Sequence, residues 1–325
     1  MTRALNEPAT ALTRPPVPRE LLRRSTAAGL IAVALGDLAV AAVAWVGMAT
    51  LPGWSYPLLV VVVAGRLHGL GVVCHDACHL PLRRKGLAAR LLELVCAYPL
   101  ATTLDAMRYH HLRHHRDNGL PGDPYFKAGA WRSRGRFALL VARGALLLPA
   151  WAVRAPFGAA AWVAPALRGA YGRVFLQDAS GGDLRRSREV ARCAREELGL
   201  LVFLGVAGAL AWRWPMAALL GYGVPATLAS LLGAYRLLRE HDYEPNADRT
   251  LETLLRSTYD HDLGWLGEAL LAPHAVGCHL VHHLHPQVGL RHLRAVRGWY
   301  VEHWAPYPAP LERWLPGSRW AGPSS

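Results

Sequence analysis

The stretch Leu58-Leu-Val-Val-Val-Val-Ala-Gly65 leaves a helix no polar face to turn toward water. It runs on into Cys74-His-Asp-Ala-Cys-His79, so an imidazole-bearing segment sits at the very end of an apolar one. Working outward, residues 27–51, 56–73, 198–211 and 215–238 are apolar enough to be transmembrane helices. The third is short alone, but only Ala-Trp-Arg-Trp-Pro215 separates it from the fourth, which reads as a tight membrane hairpin. Trp54, Trp212 and Trp214 fall at the turns, where amphipathic rings prefer the headgroup layer. The chain is 52% hydrophobic, too apolar for a soluble helical protein whose outer faces must be wetted. The fold class is therefore all-α and integral to a membrane, with about four transmembrane helices in two hairpins.

Basic residues set the orientation. Arg3, Arg14, Arg19, Arg23 and Arg24 precede the first span, which predicts a cytoplasmic N-terminus. The first apolar run is too long for the apolar region of a cleavable signal, and its flank is Pro-rich, so none is expected. Two spans return the chain to the cytoplasm before His75, and two more return it before His241. An even number of crossings separates every histidine-rich segment, which allows one shared site on the cytoplasmic face. The net charge of +13 fits retention of that face and attraction to anionic headgroups. It does not indicate nucleic acid, because the arginines are spread along membrane flanks with no recognition motif.

The histidines themselves fall in a pattern. His111, His114, His115 and His279, His282, His283 are two copies of His-x-x-His-His, joined by His75 and His79 upstream. Residues i, i+3 and i+4 share a helix face, so each box is expected to aim two or three ring nitrogens at one spot. Neutral imidazole is the commonest protein ligand for Fe, Cu, Zn and Ni. Eight such rings are too many for one ion and suit two. Metal transport or storage is the competing class, but transporters carry their ionisable groups inside the spans. Here only Asp37, Arg66 and His68 lie there, and the boxes lie outside. Cys74, Cys78 and Cys278 flank the boxes and read as small apolar fillers, since no C-x-x-C pair occurs and a cytoplasmic site needs no disulfide.

The order of the boxes, H-x-x-x-H then H-x-x-H-H twice with a hairpin before the third, resembles the membrane fatty acid desaturase superfamily, which also holds hydroxylases and carotenoid ketolases. His75-Asp-Ala-Cys-His79 is similar to its H-D-x-x-H box. Tyr109-His-His-Leu-Arg-His-His-Arg116 with Asp123-Pro124, and His279-Leu-Val-His-His-Leu-His-Pro286, resemble the second and third. Arg239-Glu-His241 is similar to the Glu-His after the fourth span of many members, and the likeness covers residues 65–293. It implies a non-haem diiron centre that activates O2 toward an unactivated C–H bond, with His75, His79, His111, His114, His115, His241, His279, His282 and His283 as ligands. Asp76, Asp123 and Glu240 are expected to hold the outer N–H of ligand imidazoles. His68, His110, His274 and His285 are expected outside the ligand set, and His303 with them.

The likeness has departures. Many members carry a Pro-His-Asn-Val-Asn-Tyr-His stretch at the third box, and here it reads Pro273-His-Ala-Val-Gly-Cys-His279, so Ala275 and Gly277 replace both amides. The following Gln287-Val-Gly-Leu-Arg-His-Leu lacks a frequent second Pro. The expected activity is an O2-dependent desaturation of an aliphatic, fatty acyl-like chain, with hydroxylation or ketolation as the alternative. The chain has no haem motif, no iron–sulfur cysteine cluster and no dinucleotide fingerprint, so electrons must come from a separate ferredoxin, or a cytochrome with its reductase. A lipid or an acyl group on a carrier is the expected substrate. One membrane domain is expected over residues 19–303, between a disordered tail at 1–18 and a surface tail at 304–325. Residues 137–150 and 157–170, with spaced arginines, read as interfacial helices.

Overall fold

The computed structural model describes residues 12–82 and 85–312. Among these, the regular structure is helical, with two isolated bridge pairs, His241 with Thr258 and His261 with Leu311. In order the helices are α1 (Ala27–Thr50), α2 (Tyr56–Ala77), α3 (Leu87–Leu92), α4 (Leu104–Asp117), α5 (Arg134–Ala142), α6 (Leu147–Val163) and α7 (Arg168–Val174). They are followed by α8 (Arg188–Arg213), α9 (Pro215–Ala218), α10 (Val224–Glu240), α11 (Leu251–Ser257), α12 (Gly264–Leu270), α13 (His279–Leu284) and α14 (Leu290–His303).

The first hairpin follows directly from sequence. Thr26 caps α1 by accepting the Gly29 amide at 3.1 Å, and α1 then runs 24 residues. At 1.5 Å per residue that is about 36 Å, enough for a bilayer core of about 30 Å. Leu30, Ala34, Asp37, Ala41 and Ala44 form its buried stripe against α2, spaced by alternating fours and threes. The opposite face is apolar too: Leu35, Val40, Val43 and Val46 lie exposed. A two-sided apolar helix is a liability in water and ordinary in lipid. α2 is the central element, packed between α1 and α10.

By length and hydropathy, four helical units could cross a membrane: Ala27–Thr50, Gly53–Ala77, Arg134–Val163 and Pro215–Glu240. Three match the expectation, and the fourth differs. Residues 198–211 lie in α8, whose first ten residues carry six charges and so fall outside that set, while residues 137–163 lie in one near-continuous apolar unit, α5–α6. The reason is where the charges point. Arg154, which splits that stretch in sequence, is fully buried against Glu197 at 2.7 Å, so α6 exposes no charge. Packing nevertheless keeps α5–α6 beside α10, which leads into His241, and the charged half of α8. Phe137 packs on Tyr235, Gly144 lies against Ser230 and Ala234, and Arg154 meets Glu197, which lies in the charged half of α8.

The termini also depart from the simple picture. Of the expected N-terminal tail, residues 1–11 lie outside the described residues, but Arg14 donates to the Leu284 carbonyl at 2.5 Å and Val17 is buried. The expected surface tail is not one from its start. Trp304 and Tyr307 are buried in the main core, and the amides of Leu311 and Asp262 exchange bonds with Asp260 and Leu311 carbonyls. Residues 313–325 lie outside the described residues.

Candidate metal centre

Four separate pieces of chain deliver the imidazoles. His75 ends α2, and His79 follows in a tightened last turn, its amide bonded to the Asp76 carbonyl. α4, capped by Thr103 on the Ala106 amide, carries His111, His114 and His115. His241 lies just past α10 in extended backbone, clasped by the bridge to Thr258. The six-residue α13 carries His279, His282 and His283. Asp260 anchors its start by accepting the Leu280 amide at 2.8 Å, and Asp260 is held in turn by Tyr307 and by Arg297 at 3.3 Å. The C-terminal segment thus buttresses the third box.

The boxes do not each serve one spot. His79, His111, His115 and His282 form one group, and His114, His241, His279 and His283 form another. In the first, successive Nε2 atoms lie 2.9, 3.0 and 2.9 Å apart. In the second the three spacings are 3.1 Å each. α4 gives residues i and i+4 to the first group and i+3 to the second; α13 does the reverse. The expectation of one target per box is corrected here, because i+3 and i+4 differ by about 100° around a helix. The two groups touch, with the His115 and His283 rings 4.3 Å apart.

His75 stands apart from both sets of four. Its ring packs on His111 at 4.0 Å and His282 at 4.5 Å, and its Nδ1 has no hydrogen-bond partner among the described residues. Two of the three expected supporting carboxylates face imidazoles. Asp123 Oδ1 lies 2.9 Å from His114 Nδ1, while the amides of Gly119 and Tyr125 fix the carboxylate at 2.9 and 2.8 Å. Glu240 Oε1 takes Arg236 at 2.8 Å and lies 3.5 Å from His279 Nδ1. Asp76 is the correction: it turns to Ser25 and the Leu290 amide instead of to a ring, because on α2 it points about 100° away from His75.

Burial favours the neutral form of His79, His241, His279, His282 and His283. Burial, then Arg108, lowers His79 to about 4, and burial, then His114, lowers His241 to about 3. Burial followed by neighbouring imidazoles drives His279, His282 and His283 well below the ordinary range. Burial pushes Asp123 upward, but His114 and the two amides outweigh it and hold the carboxyl below its usual value. A carboxylate on His114 Nδ1 fixes the proton there and leaves Nε2 as a bare lone pair aimed inward. With the Nε2 atoms of the other three rings turned to the same point, a cation between them would be shared by four acceptors. The spacings also fit: metal–imidazole bonds of about 2.1 Å at right angles put neighbouring nitrogens about 3.0 Å apart, against about 3.4 Å for a tetrahedral site. The donor set suits iron among the imidazole-binding metals.

Other histidines are held by other groups. His110 Nδ1 lies 2.6 Å from the Tyr125 hydroxyl, His285 lies 2.7 Å from Tyr300, His274 lies 2.7 Å from Asp37, and His68 lies 2.8 Å from the Leu270 carbonyl. His303 is exposed. Two residues near the centre were not read from sequence. The Tyr125 ring lies tilted against His114 at 4.7 Å, and its place after Asp123-Pro124 was the available signal. His261 is buried 3.9 Å from Glu240, a lone histidine between two aspartates with no box spacing to mark it. A third acidic group, Glu93, Asp105 and Glu196, is already filled by Lys85, whose Nζ lies 2.6, 2.5 and 3.1 Å from them.

Residues 52–313 match the family model described as Fatty acid desaturase, which takes in every imidazole of both groups. Comparison with curated proteins finds no match.

Proposed function

We propose, from the premise that this chain belongs to the fatty acid desaturase family, that it is an integral membrane diiron oxidoreductase using O2 to introduce a double bond into an aliphatic, fatty acyl-like chain. The observation that carries this reading is the interlocked pair of four-imidazole groups, each helix giving two rings to one and a third to the other. His79, His111, His115 and His282 hold one iron, with His75 beside them, and His114, His241, His279 and His283 hold the second. Bound there, the iron pair with O2 supplies the oxidising power to take hydrogen from an unactivated C–H bond.

The protein's own part is to bind, orient and exclude water. Asp123 keeps the proton of His114 on Nδ1, and Glu240 lies 3.5 Å from His279 Nδ1 without hydrogen-bonding it. His111 Nδ1 and His279 Nδ1 have no hydrogen-bond partner among the described residues, so His114 is the ring of the two groups that a carboxylate hydrogen-bonds. Burial of six of the eight rings, with His79 and His115 half-buried, limits competing water at the nitrogens.

α1 with α2, and α8 with α10, are proposed as the membrane hairpins, with α5–α6 lying low against their ends. Residues 202, 206 and 210 of α8 are exposed and apolar, which supports a lipid-facing second half. Two crossings then separate the second box from His241, and both groups lie at the cytoplasmic face. Electrons are proposed to come from a ferredoxin, or a cytochrome with its reductase, drawn to that basic face; the substrate is a lipid or a carrier-borne acyl chain. The test is metal analysis and product mass from purified protein supplied with lipid extract, reductant and O2. About two iron per chain and loss of two hydrogens are expected. Gain of one oxygen would move the reaction to hydroxylation, and zinc alone with no turnover after iron reconstitution would sink the reading.

A further inference from the structure

A cavity of about 480 Å³ opens where α1 and α14 both begin. Arg24, Thr26, His274, Arg291, His292 and Arg294 line it, and its lining contains no Asp or Glu. Neither helix carries an acidic residue in its first turn. Arg294 pairs with exposed Glu268 at 2.6 Å, and His274 is turned toward Asp37. Arg24 and Arg291 have no carboxylate partner among the described residues. Asp76, behind the wall, is taken up by Ser25 and the Leu290 amide. The walls are fixed: the Gly289 amide donates to the Arg23 carbonyl at 2.9 Å, and a Cβ on Gly289 would lie 2.7 Å from the Ser25 backbone nitrogen. The cavity is therefore preformed and cationic, whereas its neighbour around His261 mixes Asp262, Glu268 and Glu302 with its arginines.

Depth identifies the ligand. Arg23 and Arg24 immediately precede α1, and arginines at the end of a span anchor that end at the headgroup layer, where phosphates reside. We infer that this cavity is a binding site for the phosphate of an anionic phospholipid, clamped by Arg24 and Arg291. It goes beyond the iron reading and rests only on the proposed crossing of the bilayer by α1. A bidentate guanidinium pair matches a phosphate's oxygens, and a preformed pocket loses little entropy in binding it.

The test uses the full chain in neutral detergent, titrated with short-chain phosphatidylglycerol, short-chain phosphatidylcholine or inorganic phosphate while its melting is followed. Phosphatidylglycerol should bind tighter than phosphatidylcholine, and Arg24→Gln/Arg291→Gln should weaken it about 30-fold, the worth of two arginines at a charged surface. Equal affinity for the two lipids, or an unweakened double variant, overturns the inference. Inorganic phosphate binding as tightly as the lipid would assign the site to a soluble anion and overturn the lipid assignment. Should the variant not fold, salt decides on the wild type: affinity for phosphatidylglycerol must fall between about 50 mM and about 500 mM NaCl, and a flat response overturns the site. An alkaline wash that strips the chain from membranes would instead overturn the crossing of α1, and iron content affects neither result.

Discussion

Replacing Asp123 by Asn separates the two metal positions. The carboxylate receives the His114 Nδ1 proton and the Tyr125 amide on Oδ1, and the Gly119 amide on Oδ2. Asn has one acceptor oxygen and must fail one side. With its oxygen toward His114, its NH2 meets the Gly119 N–H, an unsatisfied buried pair costing about 1–3 kcal/mol of stability. With its NH2 toward His114, it presses the proton onto Nε2 and removes the lone pair that would hold a metal. Loss of such outer support costs about 10- to 100-fold in metal affinity, or about 1.4–2.7 kcal/mol. Only the group containing His114 depends on Asp123, so the expected outcome is biphasic. In a competitive chelator titration of the iron-loaded protein, one iron per chain should leave about 10- to 100-fold earlier while the other leaves as in wild type. Equal weakening of both, or none, would refute Asp123 as the support of one imidazole group alone.

His241→Ala should lower iron and abolish turnover as completely as His283→Ala, since both remove a ring from the same group; full iron with near-normal turnover in the first variant would confine the ligands to the three boxes. His110→Ala and His303→Ala should keep iron occupancy by metal analysis, the first because its Nδ1 faces Tyr125 and the second because it is exposed. Tags at both termini should report the cytoplasmic side and a cysteine probe at Trp54 or Trp212 the opposite side; labelling of a residue beside His111 from outside would break the shared site. Metal-free protein should lose stability as pH falls below about 6.5 toward 4. His79 and His241 stay neutral when folded, to about 4 and about 3, but take protons when unfolded. Each then contributes up to about 1.4 kcal/mol per pH unit, lost on acidification and constant above pH 7. A melting temperature flat from pH 7.5 to about 5 would contradict those lowered values.

Periodicity and composition were enough to read the apolar helices, because a helix with no polar face has few places to go. The spacing His-x-x-His-His was enough to read a multi-histidine metal site, because ligand chemistry and helical period are both local. Which ring joins which group was not local. It depends on the angle at which α4 meets α13, so His114 leaves its box for His241 while His282 crosses to His79. The same holds for charges. Arg154 reads in sequence as a polar interruption and is in fact buried on Glu197, a partner 43 positions away that no periodicity of α6 reveals. Trp304 and Tyr307 read as a Pro- and Trp-rich surface tail, yet Tyr307 reaches Asp260 and through it the start of α13. Asp76 shows the converse: its neighbours in sequence are ligands, but its own direction on α2 sends it to Ser25 and Leu290. Residue type and spacing thus determined that the chain carries imidazoles able to hold metal and which helices are apolar enough to cross a membrane. Side-chain direction, fixed only when helices far apart in sequence pack together, decided how eight imidazoles became two groups of four.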